Sequence, residues 1–373
     1  LSRQTYEEYF ARIKSGGPSK LVVIIDEAQF VAKRDASFME AVAKLKKHKL
    51  YPGPVLIILA TSSTVWATQE AAEQFKGAEM KLESLNFLEV VRHFESLPVA
   101  EIVRIYGAIG GVPAYLDKWD AAKSFKDNIC RLVLTPSGAL YGEADAVISA
   151  ELRELSAYST ILAAIARGEN KLNDIFHATG FSRAKISVYL KNLATFNIVE
   201  KVVSFETGGW ENAKKGVYQI KDTFVNFWFK FVYPNMSDLY LLSPEEFYDT
   251  YIEKELDAYL ERYFREVCTE YLLILNQMGQ LPFTIKRVGT WIGKTGRIDI
   301  VAQSEDRRSI IGFCNWDKPM MTMDMCENMA MAMDQARLTS DDYYLFSATD
   351  FEPALQSYVV RDPRFKLINM NEL

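Results

Sequence analysis

Two adjacent carboxylates, Asp26 and Glu27, are the first residues along the chain whose types and spacing could do chemistry. They follow the apolar run LVVII at residues 21–25, which predicts a strand buried on both faces of a parallel sheet. Acids at the carboxyl end of such a strand lie where open α/β sheets bind their ligands. In such a pair the first acid can help to hold Mg²⁺ and the second can polarise an attacking water. The alternative is a strand that runs into a helix capped by Asp26, because aspartate is a favoured N-cap residue.

Hydroxyl side chains follow a second apolar run. The segment VLIILA at residues 55–60 predicts another buried strand, and Thr61, Ser62 and Ser63 come directly after it. The stretch 36–49 between the two runs is predicted to be helical, so strand, helix and strand form a βαβ-like unit. Hydroxyl groups at the tip of the second strand could orient a water or the γ-phosphate of a nucleotide.

These motifs together resemble one family. LVVIIDEAQF at 21–30 resembles the Walker B strand, and LIILATSS at 56–63 the sensor-1 strand, of prokaryotic (archaeal-type) P-loop ATPases. These are DEXX-box members of the AAA+/STAND group that carry a winged helix and a C-terminal domain of unknown function. LESLNFLEVVRHF at 82–94 resembles the segment that follows in the family, and YGAIGGVPAYL at 106–116 the Gly-Gly-x-Pro motif of its helical lid. The resemblance covers nearly the whole chain.

The resemblance implies ATP and Mg²⁺ as cofactors of the intact protein. It assigns Asp26 to assist Mg²⁺, Glu27 to orient the attacking water as the catalytic residue, and Ser62 or Ser63 to sense the γ-phosphate.

The resemblance also implies that Gly111 and Pro113 approach the nucleotide base. A turn between two helices explains these two residues equally well, and the sequence does not decide between the explanations.

Two parts of the family pattern are missing from the 373 residues. No Gly-rich loop ending in Gly-Lys-Ser/Thr precedes Leu21, and the run GAEMK at 77–81 lacks the Arg that relatives often have after the glycine. Either the sequence is truncated at its N-terminus, which we favour, or the protein is a remnant without a phosphate cradle. In both cases the chain as given is not expected to bind ATP tightly. The run GTWIGKT at 289–295 is no substitute, because it leads into a strand, and we predict a β-hairpin turn there.

The predicted fold class is multidomain α/β. It comprises a partial P-loop NTPase sheet at 1–95, a helical lid at 96–150, a winged helix at 151–222, a connecting segment at 223–247 and a nuclease-like domain at 248–373. The aromatic residues of the connection lie at helical spacing, which favours a packed core over a platform for stacking bases.

A helix-turn-helix with a wing is predicted between residues 171 and 222. The turn lies at Thr179-Gly180, a second helix starts at Ser182, and the wing tip lies at 207–216. The second helix carries Arg183, Lys185 and Lys191, and cations on such a helix can contact DNA phosphates. The alternative is a packing module whose cations form a solvated face.

The order αβββαβ after residue 248, with RIDIVA at 297–302 as a central strand, resembles the restriction-endonuclease-like core. Active members place an Asp on one strand and Glu-x-Lys on the next, to bind Mg²⁺ and activate water. Asp299 fits the first position, but Phe313 and Asn315 replace the acid and the lysine. We therefore expect a degenerate site without nuclease activity, in which Asp299 caps a strand or pairs with a cation such as Arg297.

Composition excludes several classes of protein. The net charge of -6 provides no overall polycation for nucleic acid, so any such contact must use a local patch. Four scattered cysteines and three histidines make a zinc site unexpected. No apolar run approaches the roughly 18 residues of a membrane helix, and a cytoplasmic protein without a membrane partner is expected. Two hypotheses remain: an ATPase whose nucleotide state controls the winged-helix and nuclease-like module, or a non-catalytic scaffold that binds nucleic acid or a partner protein.

Overall fold

A computed structural model describes residues 5–13, 20–47, 53–149, 152–205, 216–293 and 296–373 of this mixed α/β protein. The chain divides into two compact units, an N-terminal unit at Leu1–Glu83 and a C-terminal unit at Ser84–Leu373. Among the described residues, no helix combines the length and apolar character needed to cross a membrane.

The N-terminal unit is built on two parallel strands with helices between them. Its elements are α1 (Tyr6–Ala11), β1 (Leu21–Ile25), α2 (Ala28–Arg34), α3 (Ala36–Lys46), β2 (Val55–Leu59), a π-helical turn (Trp66–Ala71) and α4 (Ala72–Phe75). Strands β1 and β2 pair in register from Leu21 with Val55 to Ile25 with Leu59. The predicted βαβ-like unit is therefore confirmed, with two helices in place of one.

The prediction that β1 is buried on both faces is wrong. Burial alternates along β1 and β2, and the side chains of Val22 and Ile24 are 52% and 67% exposed. The alternate residues pack on a core that contains Phe38 and Leu45 of α3. Successive side chains of a strand point to opposite faces, and within the described residues only the α3 side of the sheet is covered. An apolar run by itself does not indicate how many faces are covered.

The C-terminal unit begins with short helices. These are α5 (Phe87–His93), α6 (Val99–Ile109), α7 (Pro113–Leu116), α8 (Phe125–Ile129) with a π-helical extension (Cys130–Leu134), α9 (Glu143–Ser149) and α10 (Leu155–Ala166). Helix α5 is capped twice at its start. Asn86 forms a capping box with Glu89, and the Glu270 carboxylate accepts the N–H groups of Phe87 and Leu88 at 3.0 and 3.1 Å. Glu270 lies far along the sequence, so this contact ties the start of the unit to its later part.

A helix pair followed by a β-hairpin comes next, as α11 (Leu172–Thr179), α12 (Arg183–Thr195), β3 (Val199–Val202) and β4 (Val217–Ile220). Gly180 joins the helices in a left-handed conformation (φ 70°), which glycine adopts without strain. Strands β3 and β4 are antiparallel. Most of the predicted wing tip, residues 207–215, lies outside the described residues.

The aromatic stretch after β4 forms core, as predicted. It comprises α13 (Thr223–Phe227), a π-helical turn (Trp228–Val232), a 3₁₀ turn (Tyr233–Asn235) and α14 (Met236–Leu239). Phe224, Phe227, Trp228 and Phe231 are each at most 2% exposed. Two helices follow, α15 (Pro244–Tyr251) and α16 (Glu253–Gln277), which meet at the fully buried Ile252.

The chain ends in a five-stranded mixed sheet flanked by helices. The elements of this part of the chain are β5 (Arg287–Ile292), β6 (Arg297–Gln303), β7 (Ser309–Asn315), β8 (Met320–Met321), α17 (Met323–Ala336), β9 (Asp342–Ser347), β10 (Asp350–Phe351), α18 (Pro353–Arg361) and β11 (Phe365–Asn369). Strands β8 and β10 pair with each other in a separate two-stranded sheet. The sheet order is β11-β9-β7-β6-β5, antiparallel at β5–β6–β7 and parallel from β7 to β11. RIDIVA (β6) is paired on both sides, by β5 and β7, and is therefore a central strand of the sheet, as predicted.

The predicted β-hairpin turn near residue 293 is confirmed. Strands β5 and β6 pair antiparallel, and the Gly293 N–H donates to the Gly296 carbonyl at 2.9 Å. Residues 294 and 295 of this turn lie outside the described residues.

Candidate functional site

The carboxylates of Asp26 and Glu27 lie at the carboxyl end of β1, where the strand turns into α2. Glu27 is in the left-handed region (φ 47°, ψ 43°), which is uncommon for a residue with a side chain. The Asp26 carboxylate accepts the Glu27 N–H at 3.0 Å through Oδ1, and the Ala28 N–H donates to the Ala60 carbonyl after β2 at 3.0 Å. These contacts fix the turn, so the two acids project from a defined backbone rather than from a free loop.

Glu27 contacts the tip of the neighbouring strand through one oxygen. Its Oε2 accepts the Ser62 hydroxyl at 2.9 Å, the Ser62 N–H at 3.3 Å and the Gln29 side-chain amide. The hydrogen bonds from Gln29 and from the Ser62 side chain lower the pKa of Glu27 from its usual value. Hydrogen bonds to a carboxylate stabilise its charged form. Glu27 is therefore held as an anion beside a hydroxyl group.

Gln29 is a site residue that the sequence analysis missed. It is 2% exposed, its Nε2 also donates to Ser62 Oγ at 3.1 Å, and its Oε1 accepts the Thr61 hydroxyl at 2.6 Å. The sequence offers one indication of this role. Gln29 is a polar residue two positions after the acid pair, at the start of a helix that packs on a core.

The two serines assigned to the γ-phosphate lie in different environments. Ser62 is exposed and contacts Glu27. Ser63 is 4% exposed, and its hydroxyl accepts the Trp66 N–H at 3.3 Å at the start of the π-helical turn. The structure therefore brings Ser62 together with Glu27, whereas Ser63 serves the local backbone.

Gly111 and Pro113 belong to the C-terminal unit, in a turn that joins α6 to α7. The Leu85 N–H donates to the Gly111 carbonyl at 2.8 Å, and a Cβ added at Gly111 would lie 1.9 Å from the Leu85 carbonyl oxygen. Gly110 has φ 69° and lies against Thr223, while Pro113 occupies the first turn of α7. Backbone packing thus accounts for the glycines of this tract.

Replacing Gly111 by alanine is expected to destabilise the C-terminal unit by about 1–3 kcal/mol, because the new methyl group must displace the Leu85 backbone. Urea unfolding measures the change. Gly142→Ala is the matched control, since an added Cβ there meets no atom within 4 Å. Equal stability of the two variants would show that the close approach to Leu85 does not constrain this turn.

The three cations of α12 are all exposed. The Arg183 guanidinium lies 4.1 Å from the Phe176 ring centroid, and its Nε donates to Asn173 Oδ1 at 3.0 Å. The Lys185 ammonium group lies 4.4 Å from the Phe181 ring. Stacking on rings holds these two charges near the start of α12, while Lys191 lies two turns further along.

Asp299 on β6 is enclosed by donors. Its Oδ1 accepts Arg265 Nε of α16 at 2.9 Å, and its Oδ2 accepts the Cys314 N–H of β7 at 3.1 Å. The predicted pairing with Arg297 is present at 3.4 Å, but the shorter contact is with Arg265, which the sequence analysis did not identify. Both carboxylate oxygens are therefore engaged.

The two positions that replace the acid and the lysine have structural contacts. Phe313 is half-buried and packs on the core that contains Met321 and Leu345. Asn315 is 2% exposed, donates to Ser347 Oγ at 3.1 Å and accepts the Lys318 N–H at 3.2 Å. Asn315 therefore stabilises the turn after β7.

Other charged groups lie near Asp299. Burial, with the negative charges of Asp317 and Asp299, raises the pKa of Glu261 on α16, and the positive charge of Arg265 opposes this shift. Within the parts of the chain that the structure describes, no three His, Cys, Asp or Glu side chains are placed to hold a metal ion.

Residues 228–331 match the model of DUF234, a family of archaeal and bacterial proteins of unknown function. The mixed α/β protein is therefore similar to this family over part of its C-terminal unit. The chain is also 28% identical over 323 residues to the uncharacterized protein MJECL04 of Methanocaldococcus jannaschii, with 84% of this chain and 71% of that protein covered.

A comparison of structures matches 98% of this chain to 92% of protein VC1899 from Vibrio cholerae, at 10% sequence identity and a TM-score of 0.24. A sequence identity and a TM-score this low do not establish a common fold.

Proposed function

We propose that the protein is an ATP-hydrolysing switch in which Glu27 orients the attacking water and Asp26 assists Mg²⁺. Ser62 senses the γ-phosphate, and the nucleotide state of the N-terminal unit controls the C-terminal unit. The observation that carries this proposal is the contact between the Glu27 carboxylate and Ser62 at the tips of two parallel strands. The carboxyl ends of parallel strands are where such sheets bind ligands.

The residues present fit the metal and the water better than they fit the phosphates. Asp26 is exposed, and only its Oδ1 accepts a hydrogen bond among the described residues, so its other oxygen is available to Mg²⁺. When bound, Mg²⁺ neutralises charge on the phosphates. The phosphates themselves are normally held by backbone N–H groups and a lysine of a Gly-rich loop, and the 373 residues contain no such loop.

The 373-residue chain is accordingly expected to bind Mg-ATP with a dissociation constant above about 10 μM, corresponding to roughly -7 kcal/mol or weaker. The described residues of the N-terminal unit supply groups for the metal and the water, and the sequence of this unit contains no Gly-Lys-Ser/Thr motif. Isothermal titration calorimetry measures this affinity. Tighter binding, reduced by Asp26→Asn, would mean that residues outside a Gly-rich loop hold the phosphates.

In this proposal the N-terminal sheet is part of a P-loop NTPase core, α6 to α9 form its helical lid, and α10 to β4 form a winged helix. Helix α16 and the sheet β5 to β11 belong to a nuclease-like domain that does not cleave nucleic acid. Two guanidinium groups and a backbone N–H on Asp299 support the last point, because they occupy the oxygens that would otherwise bind a metal.

A second candidate function is a scaffold without turnover that binds nucleic acid or a partner protein. The exposed, ring-stacked cations of α12 favour duplex DNA as the partner, since Arg and Lys on such a helix contact phosphates.

If α12 contacts DNA, replacing both Arg183 and Lys185 by alanine is expected to weaken duplex binding. The slope of log affinity against log salt should fall by about 1 for each DNA phosphate that the variant no longer neutralises. Fluorescence anisotropy over a salt series measures both quantities. Replacing Lys118 and Lys123, two exposed lysines outside α11 and α12, removes the same charge and serves as the control. Equal reductions of affinity in the two double variants would place the DNA-binding surface elsewhere.

A further inference from the structure

We propose that Gln29 is a positioning residue: its carboxamide fixes one oxygen of Glu27 against Ser62 and leaves the other oxygen for the attacking water. This inference rests on the hydrolysis proposed above, and it adds to that proposal a residue that contacts neither nucleotide nor metal.

The hydrogen bonds of Gln29 use both ends of its carboxamide. Nε2 donates to Glu27 Oε2 and to Ser62 Oγ, and Oε1 accepts the Thr61 hydroxyl. A carboxamide offers two N–H donors and an acceptor oxygen, and at 2% exposure it needs protein partners for them. Neither glutamate nor methionine could make this set of contacts. Gln29 therefore links the tip of β1 to the tip of β2.

The contacts on Glu27 are asymmetric. Gln29 Nε2, Ser62 Oγ and the Ser62 N–H all meet Oε2, and no donor among the described residues meets Oε1. Because Ser62 Oγ also accepts from Gln29, the three side chains close a ring of hydrogen bonds. The anchored oxygen fixes the carboxylate plane, and the free oxygen is the atom that can accept a hydrogen bond from water.

Replacing Gln29 by methionine keeps the volume and removes the hydrogen bonds. In the full-length gene product we expect kcat for ATP hydrolysis to fall about 10- to 100-fold, the loss associated with a misplaced catalytic group. KM should stay within about twofold. A change in KM at constant kcat indicates a residue that binds the substrate in its ground state, and in this proposal Gln29 does not contact the nucleotide.

Thr61 provides a second, independent variant, since its hydroxyl contacts Gln29 and not Glu27. Thr61→Val is expected to lower kcat by a smaller factor than Gln29→Met does. Thr61→Ser keeps the hydroxyl, so its kcat should match that of the wild type. The Gln29→Met and Thr61→Val double variant should be no slower than Gln29→Met alone, because residues that act through one contact are not additive.

The readout that separates positioning from a loss of folded protein is rescue by the conservative variant. Thr61→Ser keeps the hydroxyl that Gln29 Oε1 accepts and should restore kcat, with kcat expressed per mole of folded protein. A wild type without turnover would refute the proposed hydrolysis. A wild type that hydrolyses ATP, together with a Gln29→Met variant that matches its kcat, would refute only the role of Gln29.

Discussion

Replacing Glu27 by glutamine in the full-length gene product is expected to lower the rate of ATP hydrolysis by about 100-fold or more, the usual contribution of a positioned general base. The amide cannot take up a proton from water at neutral pH. Its carbonyl oxygen can still accept the Ser62 hydroxyl, which now donates to Glu27 at 2.9 Å. The fold and the affinity for nucleotide should therefore be retained.

Phosphate release and nucleotide binding, measured on the same preparation, test this prediction. Glu73→Gln, an exposed glutamate of α4 in the same unit, makes the same chemical change away from the strand tips and should leave turnover unaffected. Turnover that survives in Glu27→Gln would remove Glu27 from the catalytic role.

The second large effect is expected at Arg265. Its side chain is 11% exposed and that of Asp299 is 15% exposed, so the pair is largely removed from water. Removing one partner of such a pair typically costs about 3–5 kcal/mol, because the other charge is left buried and unpaired. Arg297 and the Cys314 N–H remain as partners of Asp299. We therefore expect Arg265→Ala to destabilise the protein by about 3 kcal/mol, the lower end of that range.

Urea unfolding of three variants separates the contributions. Arg297→Ala is the control: Arg297 is 44% exposed and lies 3.4 Å from the same carboxylate oxygen, so its removal should cost no more than about 1 kcal/mol. Adding Asp299→Asn to Arg265→Ala removes the unpaired charge and should recover part of the stability. Equal effects of Arg265→Ala and Arg297→Ala would contradict the view that Arg265 is the main partner of Asp299.

Local chemistry in the sequence predicts the elements of the N-terminal unit well. Apolar runs that end in Asp26-Glu27 and in Thr61-Ser62 predict two strands and their polar tips, and the structure pairs these strands in parallel. The sequence does not reveal Gln29, because two of its three hydrogen bonds, those with Ser62 and Thr61, exist only once both tips are adjacent.

Long-range contacts limit the prediction of the C-terminal unit. Arg265 is one of several charged residues on an amphipathic helix, and its contact with Asp299 crosses 34 positions of sequence. Arg297, two residues from Asp299 on the same strand, is the partner that local sequence reasoning can find. Gly111 is ambiguous for the same reason, because its neighbour Leu85 lies on a separate segment. Short strands such as β8 and β10, of two residues each, leave too little pattern to detect.

The most direct test of the proposed function is phosphate release from ATP by the full-length gene product, with and without Mg²⁺, beside the Asp26→Asn variant. Hydrolysis that requires Mg²⁺ and falls at least about tenfold in Asp26→Asn is predicted, because the carboxylate supplies a ligand to the ion that neutralises the phosphates. Release no faster than a protein-free blank, or release that is indifferent to both Mg²⁺ and Asp26, would contradict it.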